Sequence, residues 1–276
     1  MRNGSAGPMT LSPRRRVTGS PGRTLAALGT LFWLTLRQHV QGRRLIVLMV
    51  LFAVPTVIAL FARRYTTPAN LELILVFTLF PHALVPLAAL LYATGMVQDE
   101  VEDQTLTYLL VRPLPRWALY VTKLLATVLL AIVLTAFFAL VTELAIYWGE
   151  PAFPPRVLQL PALFALTLVT YCSVFGCISL FARQALTAGL AYIIFLEGLL
   201  ANLELPFRPL TVVYYFRLLA TRWLGMNVPG WRLRLDETPR AQTAVLVLLV
   251  VSLVATVIGA YRFATREFRM KTPEGA

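Results

Sequence analysis

Charge is scarce in this sequence. Of its 276 residues 14% are Asp, Glu, Lys or Arg and 58% are apolar, giving a mean hydropathy of +0.71. A soluble domain carries roughly 25% charged residues, so an ordinary water-exposed fold is excluded. Lysine occurs only at Lys123 and Lys271; the remaining basic residues are all Arg, a compositional bias without functional content. Histidine is confined to His39 and His82 and cysteine to Cys172 and Cys177. There is no HExxH zinc motif, and two cysteines five apart in one apolar run fit neither a CxxC redox pair nor a zinc site, so they read as helix-packing residues. A Gly-x-x-x-x-Gly-Lys-Ser/Thr phosphate loop is also missing, which leaves no nucleotide chemistry, cofactor or metal to this chain. The net charge of +12 comes from Arg at the ends of apolar runs. No basic face is interleaved with aromatics, which argues against nucleic acid and for membrane topology.

What is present is a succession of long apolar runs at 45–62, 73–98, 124–142, 157–182, 184–203 and 241–261, all but one of them free of charge. At about 1.5 Å per residue each can cross a hydrocarbon core of about 30 Å. In lipid only helices and closed barrels satisfy every backbone amide, and the polar/apolar alternation of barrel strands is absent. The expected fold is therefore an all-α integral membrane protein of six transmembrane helices. The fourth and fifth runs are separated only by Arg183 and Gln184, which demands a sharp reversal there.

An amphipathic helix lying in the membrane interface is expected to precede the first span, because Leu25, Leu28, Phe32, Leu36 and Val40 recur at helical spacing between residues 24 and 41. Residues 1–23, with Arg14, Arg15 and Arg16 among Gly, Ser and Pro, read as a disordered basic cytoplasmic tail able to touch anionic lipid. Met9 is an alternative start. Residues 24–263 read as a single transmembrane domain and 264–276 as a second cytoplasmic tail.

With the amino terminus inside, the internal segments hold sixteen of the twenty-five Lys and Arg residues, which places both termini in the cytoplasm by the positive-inside rule. Six of the other nine fall within residues 204–240. There Val212, Val213, Phe216, Leu219 and Trp223 form an apolar helical stripe with Arg217 and Arg222 off it, predicting a short helix on the outer membrane surface. Pro206, Pro209, Pro229 and Pro239 argue against a seventh span.

The segment between the second and third runs is the most informative. Asp99, Glu100, Glu102 and Asp103 place four of the thirteen acidic residues in five positions. Leu106, Leu109 and Leu110 then share a helical face, and Pro113 and Pro115 stop the helix. Carboxylates at its start and Arg112 and Arg116 at its end suit the helix dipole. A short amphipathic loop helix results, which any polytopic protein could use as a well-capped connection.

The pattern of Glu100 and Glu102, Thr105 and Leu106, Tyr108 to Leu110, Arg112 and Pro113, Arg116 and then Lys123 resembles the first cytoplasmic loop of the permease subunits of type-2 ABC exporters. The six-span layout and the interfacial helix are similar too. Gln104 stands where the family usually has Gly, and the first helix lacks the Glu often found there. The resemblance implies a bacterial or archaeal cell (inner) membrane protein whose 99–116 loop is a cytoplasmic coupling helix. Its partners would be two copies of an ABC ATPase subunit binding ATP and Mg, a second permease subunit, identical or different, and membrane lipid.

Within or beside the runs His82, Glu143 and Glu197 are candidate pathway groups, since an ionised side chain near the bilayer centre costs about 3 kcal/mol. Headgroup contact or a water-filled vestibule would also accommodate the two glutamates, and His82 could instead bond a carbonyl freed by Pro86. Two other functions compete with a permease. An intramembrane enzyme acting on lipid or peptide would need a convergent catalytic set, which the sequence lacks; a membrane scaffold would use the acidic loop only as an anchor.

Overall fold

The computed structural model describes residues 21–102, 115–151, 153–202, 207–226, 228–231, 233 and 238–265. Among these residues it is all-helical, without a strand. Helix α1 (Pro21–Gln41) is divided from α2 (Arg43–Ala62) by Gly42 in an extended conformation. The next long helix is continuous but changes winding, from α3 (Pro68–Ile74) through a π-helical stretch (Leu75–Leu84, containing Pro81) to α4 (Val85–Glu102). After α5 (Arg116–Ile146), a 3-10 turn (Pro155–Leu158) leads into α6 (Leu160–Phe181). Then α7 (Ala185–Tyr192) runs on as a second π-helical stretch (Ile193–Leu200), followed by α8 (Val212–Leu224) and α9 (Ala241–Thr265).

Five of these helices are long and apolar enough to cross a membrane: Arg43–Ala62, Pro68–Met96, Arg116–Ile146, Pro155–Phe181 and Ala241–Thr265. They coincide with the first four and the last of the apolar runs. Helix α5 extends past its run at both ends because its ends are packed: Ala118, Leu119 and Tyr120 on one side and Ala145 and Ile146 on the other are buried. The fifth run is different. It contains eight α-helical and eight π-helical residues, a rise of at most about 24 Å, short of a hydrocarbon core of about 30 Å. The reversal that precedes it takes only residues 182–184, as the sequence required.

Helix α6 is the centre of the bundle, with Leu163, Phe164, Leu168, Tyr171, Cys172 and Phe175 all buried. It packs against α4, α5 and α9. Cys172 and Cys177 are free thiols on this helix. By contrast α2 and α9 keep broad apolar faces outward, including Ile46, Val50, Leu246, Leu253 and Val257. Exposed apolar surface on that scale marks contact with lipid or a partner. A row of rings ties the elements together: Phe138, Phe52, Phe80, Phe164 and Phe216 follow one another at centroid separations of 5.9, 5.6, 5.6 and 5.6 Å.

Close helix approach around Tyr120 depends on two glycines. A Cβ at Gly259 of α9 would collide with the Tyr120 ring, and one at Gly176 of α6 would lie 3.0 Å from the Tyr120 hydroxyl. Tyr120 of α5 thus fills a cleft that only the smallest residues leave open, the usual device of membrane helix packing.

Two expectations about placement need correction. The helix at 212–224 exists, but it is sunk among the other elements, packed on α6 and α9, not lying on a surface. Arg217, expected off its apolar stripe, is 4% exposed, because polar partners on neighbouring elements receive it. In α1 the face turned to the protein is Leu31, Thr35 and His39, which packs on α5, while Val40 of the expected stripe is exposed.

Candidate functional site

Among the described residues, buried charged side chains and the two histidines gather at three places. The first lies at the end of the bundle where α2 passes into α3 and α5 into α6. Glu72 of α3 is fully buried and receives Arg156 through two bonds, Nε to Oε1 at 2.7 Å and Nη2 to Oε2 at 2.5 Å. The Tyr147 hydroxyl donates to the same Oε2 at 2.5 Å. Burial, with Glu72 as acceptor and negative neighbour, pushes the Tyr147 phenol well above its ordinary range. Glu143, one turn before Tyr147, is within electrostatic reach of Glu72 and Arg156, yet neither of its buried oxygens has a hydrogen-bond partner. Arg63, directly after α2, closes this end by donating to the carbonyl of Trp148 at 3.0 Å.

The second cluster is built around the break after Leu200. Ala201 O accepts from both Arg208 Nε and Arg217 Nη1 at 3.1 Å, so two guanidiniums sit at the carboxyl end of the second π-helical stretch, where positive charge suits the helix dipole. Glu197 of the same stretch answers at the other polarity, accepting from the amides of Val212 and Val213 at 3.0 Å each and so neutralising the amino terminus of α8. Arg208 also donates to the carbonyl of Trp231. Arg217 Nη2 donates to Asn202 Oδ1 at 2.7 Å and to His82 Nε2 at 2.5 Å. The other His82 nitrogen, Nδ1, donates to the carbonyl of Thr78 at 2.8 Å, which fixes the tautomer whose Nε2 can accept from Arg217. Burial, and next Arg208, draw the Arg217 guanidinium down to about 10, still a cation at neutral pH.

His82 faces a groove of about 560 Å3 whose remaining walls are Ile193, Ile194, Phe195, Gly198 and Leu199. Both π-helical stretches therefore contribute to one cleft. Such wide turns are rare and concentrate at functional sites.

The third place is where α1 meets α5. His39 Nε2 lies 2.9 Å from Thr127 Oγ1, and Lys123, 4% exposed, reaches the Met96 carbonyl at 3.5 Å. Burial first, then the charges of Lys123 and Arg44, lower His39 to about 4.

Of the residues singled out in the sequence, His82 and Glu197 fall in the second cluster and Glu143 beside the first. Glu100 and Glu102 end α4, Arg116 opens α5 as an exposed residue, and Lys123 is about two turns inside it. Thr105, Leu106, Tyr108, Leu109, Leu110, Arg112 and Pro113 lie outside the described residues, as do the terminal tails at 1–20 and 266–276. Sequence reasoning passed over Glu72, Arg156 and Asn202, and it gave His39, within the expected interfacial helix, no role. Among the described residues no group of His, Cys, Asp and Glu is arranged to hold a metal ion.

A bundle of apolar helices with buried charged clusters and wide apolar outer faces defines a multi-pass membrane protein. The family model described as "ABC-2 family transporter protein" matches residues 42–198, more than half of the chain, and the protein belongs to this family of transporter membrane subunits. It is accordingly a membrane transport permease, and a transporter rather than an enzyme. Permeases of this family normally work with an ABC ATPase partner. No curated protein matches the chain.

Proposed function

We propose that this chain is the membrane-spanning half of an ATP-driven transporter of the cell membrane, forming the substrate pathway with a second permease subunit and driven by two copies of an ABC ATPase. The fifth apolar run, together with the segment leading into α8, would complete a sixth crossing, with α1 in the interface and both termini in the cytoplasm. The Lys and Arg distribution supports this orientation.

One observation carries the coupling. The acidic-to-basic segment at 99–116 joins α4 to α5, inside the region that the family model covers. Seated in an ATPase groove by Leu106, Leu109 and Leu110, and held in register by Glu100, Glu102, Thr105, Tyr108, Arg112 and Arg116, it would act on both helices as levers. ATP and Mg would bind only in the partner.

The test is co-purification with the ATPase, followed by charge reversal of both glutamates (Glu100→Lys, Glu102→Lys). ATP turnover should lose its dependence on transport substrate and transport should fall. Unchanged turnover and transport in a complex that still assembles would remove the docking role.

A further inference from the structure

The groove at the second cluster has a polarity that the rest of the bundle does not share. Its walls are aliphatic and aromatic apart from His82, and its outer lip is open, with Phe195 63% and Leu199 53% exposed. Behind His82 stands Arg217, a buried cation. Its partners are Ala201 O, Asn202 Oδ1 and His82 Nε2, all neutral, and its Nε–H has none. Among the described residues no carboxylate lies within ion-pair distance of it. Glu197, the nearby carboxylate, is held by the amides of Val212 and Val213 and by the Tyr192 hydroxyl at 3.3 Å. Arg208 adds a positive field at Arg217, and Glu197 opposes it from a distance without touching the guanidinium.

Burying a charge without an opposite charge in contact is costly even after relaxation. Neutral acceptors recover only part of that. An anion arriving from outside the chain would supply the rest, and the groove that leads to His82 is otherwise walled by apolar residues. The volume falls within the roughly 300–1,000 Å3 of small-molecule sites. A free inorganic anion would leave those walls unused, and a neutral apolar molecule would leave the cation unanswered.

We infer that this groove binds a membrane amphiphile with an anionic headgroup, its apolar chain along Ile193 to Leu199 and its charge directed to Arg217 past His82. This inference deepens the permease reading, on which it rests, by naming the class of molecule that the pathway admits from the bilayer.

The test uses the full chain in nanodiscs, without the ATPase, so that a failure of coupling at 99–116 and a failure of binding here are separate results. Phe195→Trp places a reporter on the exposed wall. Its emission, taken as the difference from the unsubstituted protein, is titrated with phosphatidylglycerol or phosphatidylcholine brominated on the acyl chains. Half-quenching should need about tenfold less of the anionic lipid, the scale of one charge-assisted hydrogen bond. Asn202→Asp is the decisive second change, because it offers Arg217 an internal carboxylate where an amide oxygen already touches it. It should abolish the preference, while Arg217→Lys keeps it. Equal quenching by the two lipids overturns the inference, as does a preference that survives Asn202→Asp. Absence of quenching by either lipid would mean that protein, such as a second copy of the chain, covers the groove, and would also overturn it.

Discussion

Arg156 holds Glu72 in a two-pronged grip across 84 residues of sequence, the carboxylate fully buried and the guanidinium 31% exposed. Tyr147 adds a third donor to the same group. Three donors on one carboxylate leave nothing for Glu143, whose oxygens have no partner at all.

The two glutamates should therefore respond oppositely to the same substitution. Glu72→Gln leaves Arg156 half-buried without its anion and is expected to cost about 2 kcal/mol. That is less than the roughly 3–5 kcal/mol for a fully buried pair, since water reaches Arg156. Glu143→Gln removes no hydrogen bond and should leave stability unchanged or slightly raised. Thermal unfolding of the purified protein in detergent checks both. A larger loss for Glu143→Gln than for Glu72→Gln would contradict the arrangement.

At the other end of the bundle the packing of Tyr120 makes a steric prediction. Gly259→Ala drives a methyl group into the Tyr120 ring and should cost about 1–3 kcal/mol, the range for overpacking a filled core. The Tyr120 hydroxyl has no hydrogen-bond partner, so Tyr120→Phe alone should cost little. Tyr120→Ala should recover part of the loss when combined with Gly259→Ala. Simple addition of the two single losses would show that the contact is not the cause.

His39 supplies the pH dependence. Burial, then Lys123 and Arg44, hold the imidazole near 4 against an ordinary 6.5. Between those values the unfolded chain takes up a proton that the folded chain refuses, so stability is intact above about 6.5 and declines as pH falls towards about 4. His39→Gln keeps a polar group near Thr127 and removes the titration. Melting temperatures measured from about pH 7 to about pH 4.5 should fall more steeply for the unsubstituted protein than for the variant. Parallel curves would assign the acid sensitivity elsewhere.

The spans were legible because lipid leaves the chain so few choices: a run of apolar residues with no charge must be helical and must cross or pack. Residues 43–62 and 241–265 differ from the expected runs by four residues or fewer at each end. What periodicity could not supply was the pairing of polar groups. Arg217 meets His82 over 135 residues and Arg156 meets Glu72 over 84, and neither pairing leaves a local pattern. Glu72 stood just before a run and was passed over for that reason. The helix at 212–224 was visible as a stripe, but a stripe assumes one wet face, and Arg217 on the supposed wet face has polar partners inside the bundle. The segment proposed to couple is the reverse case, since its residues from Thr105 to Pro113 are distinctive in sequence and lie outside the described residues.

The two π-helical stretches bordering the cleft at His82 each carry more residues per turn than an α-helix needs. Rewinding one such turn into α-helical form would displace a single residue and rotate the remainder of the rod by about 100°. A slip of one residue in either stretch would therefore turn the wall that it contributes to the cleft, and with it the rest of that rod.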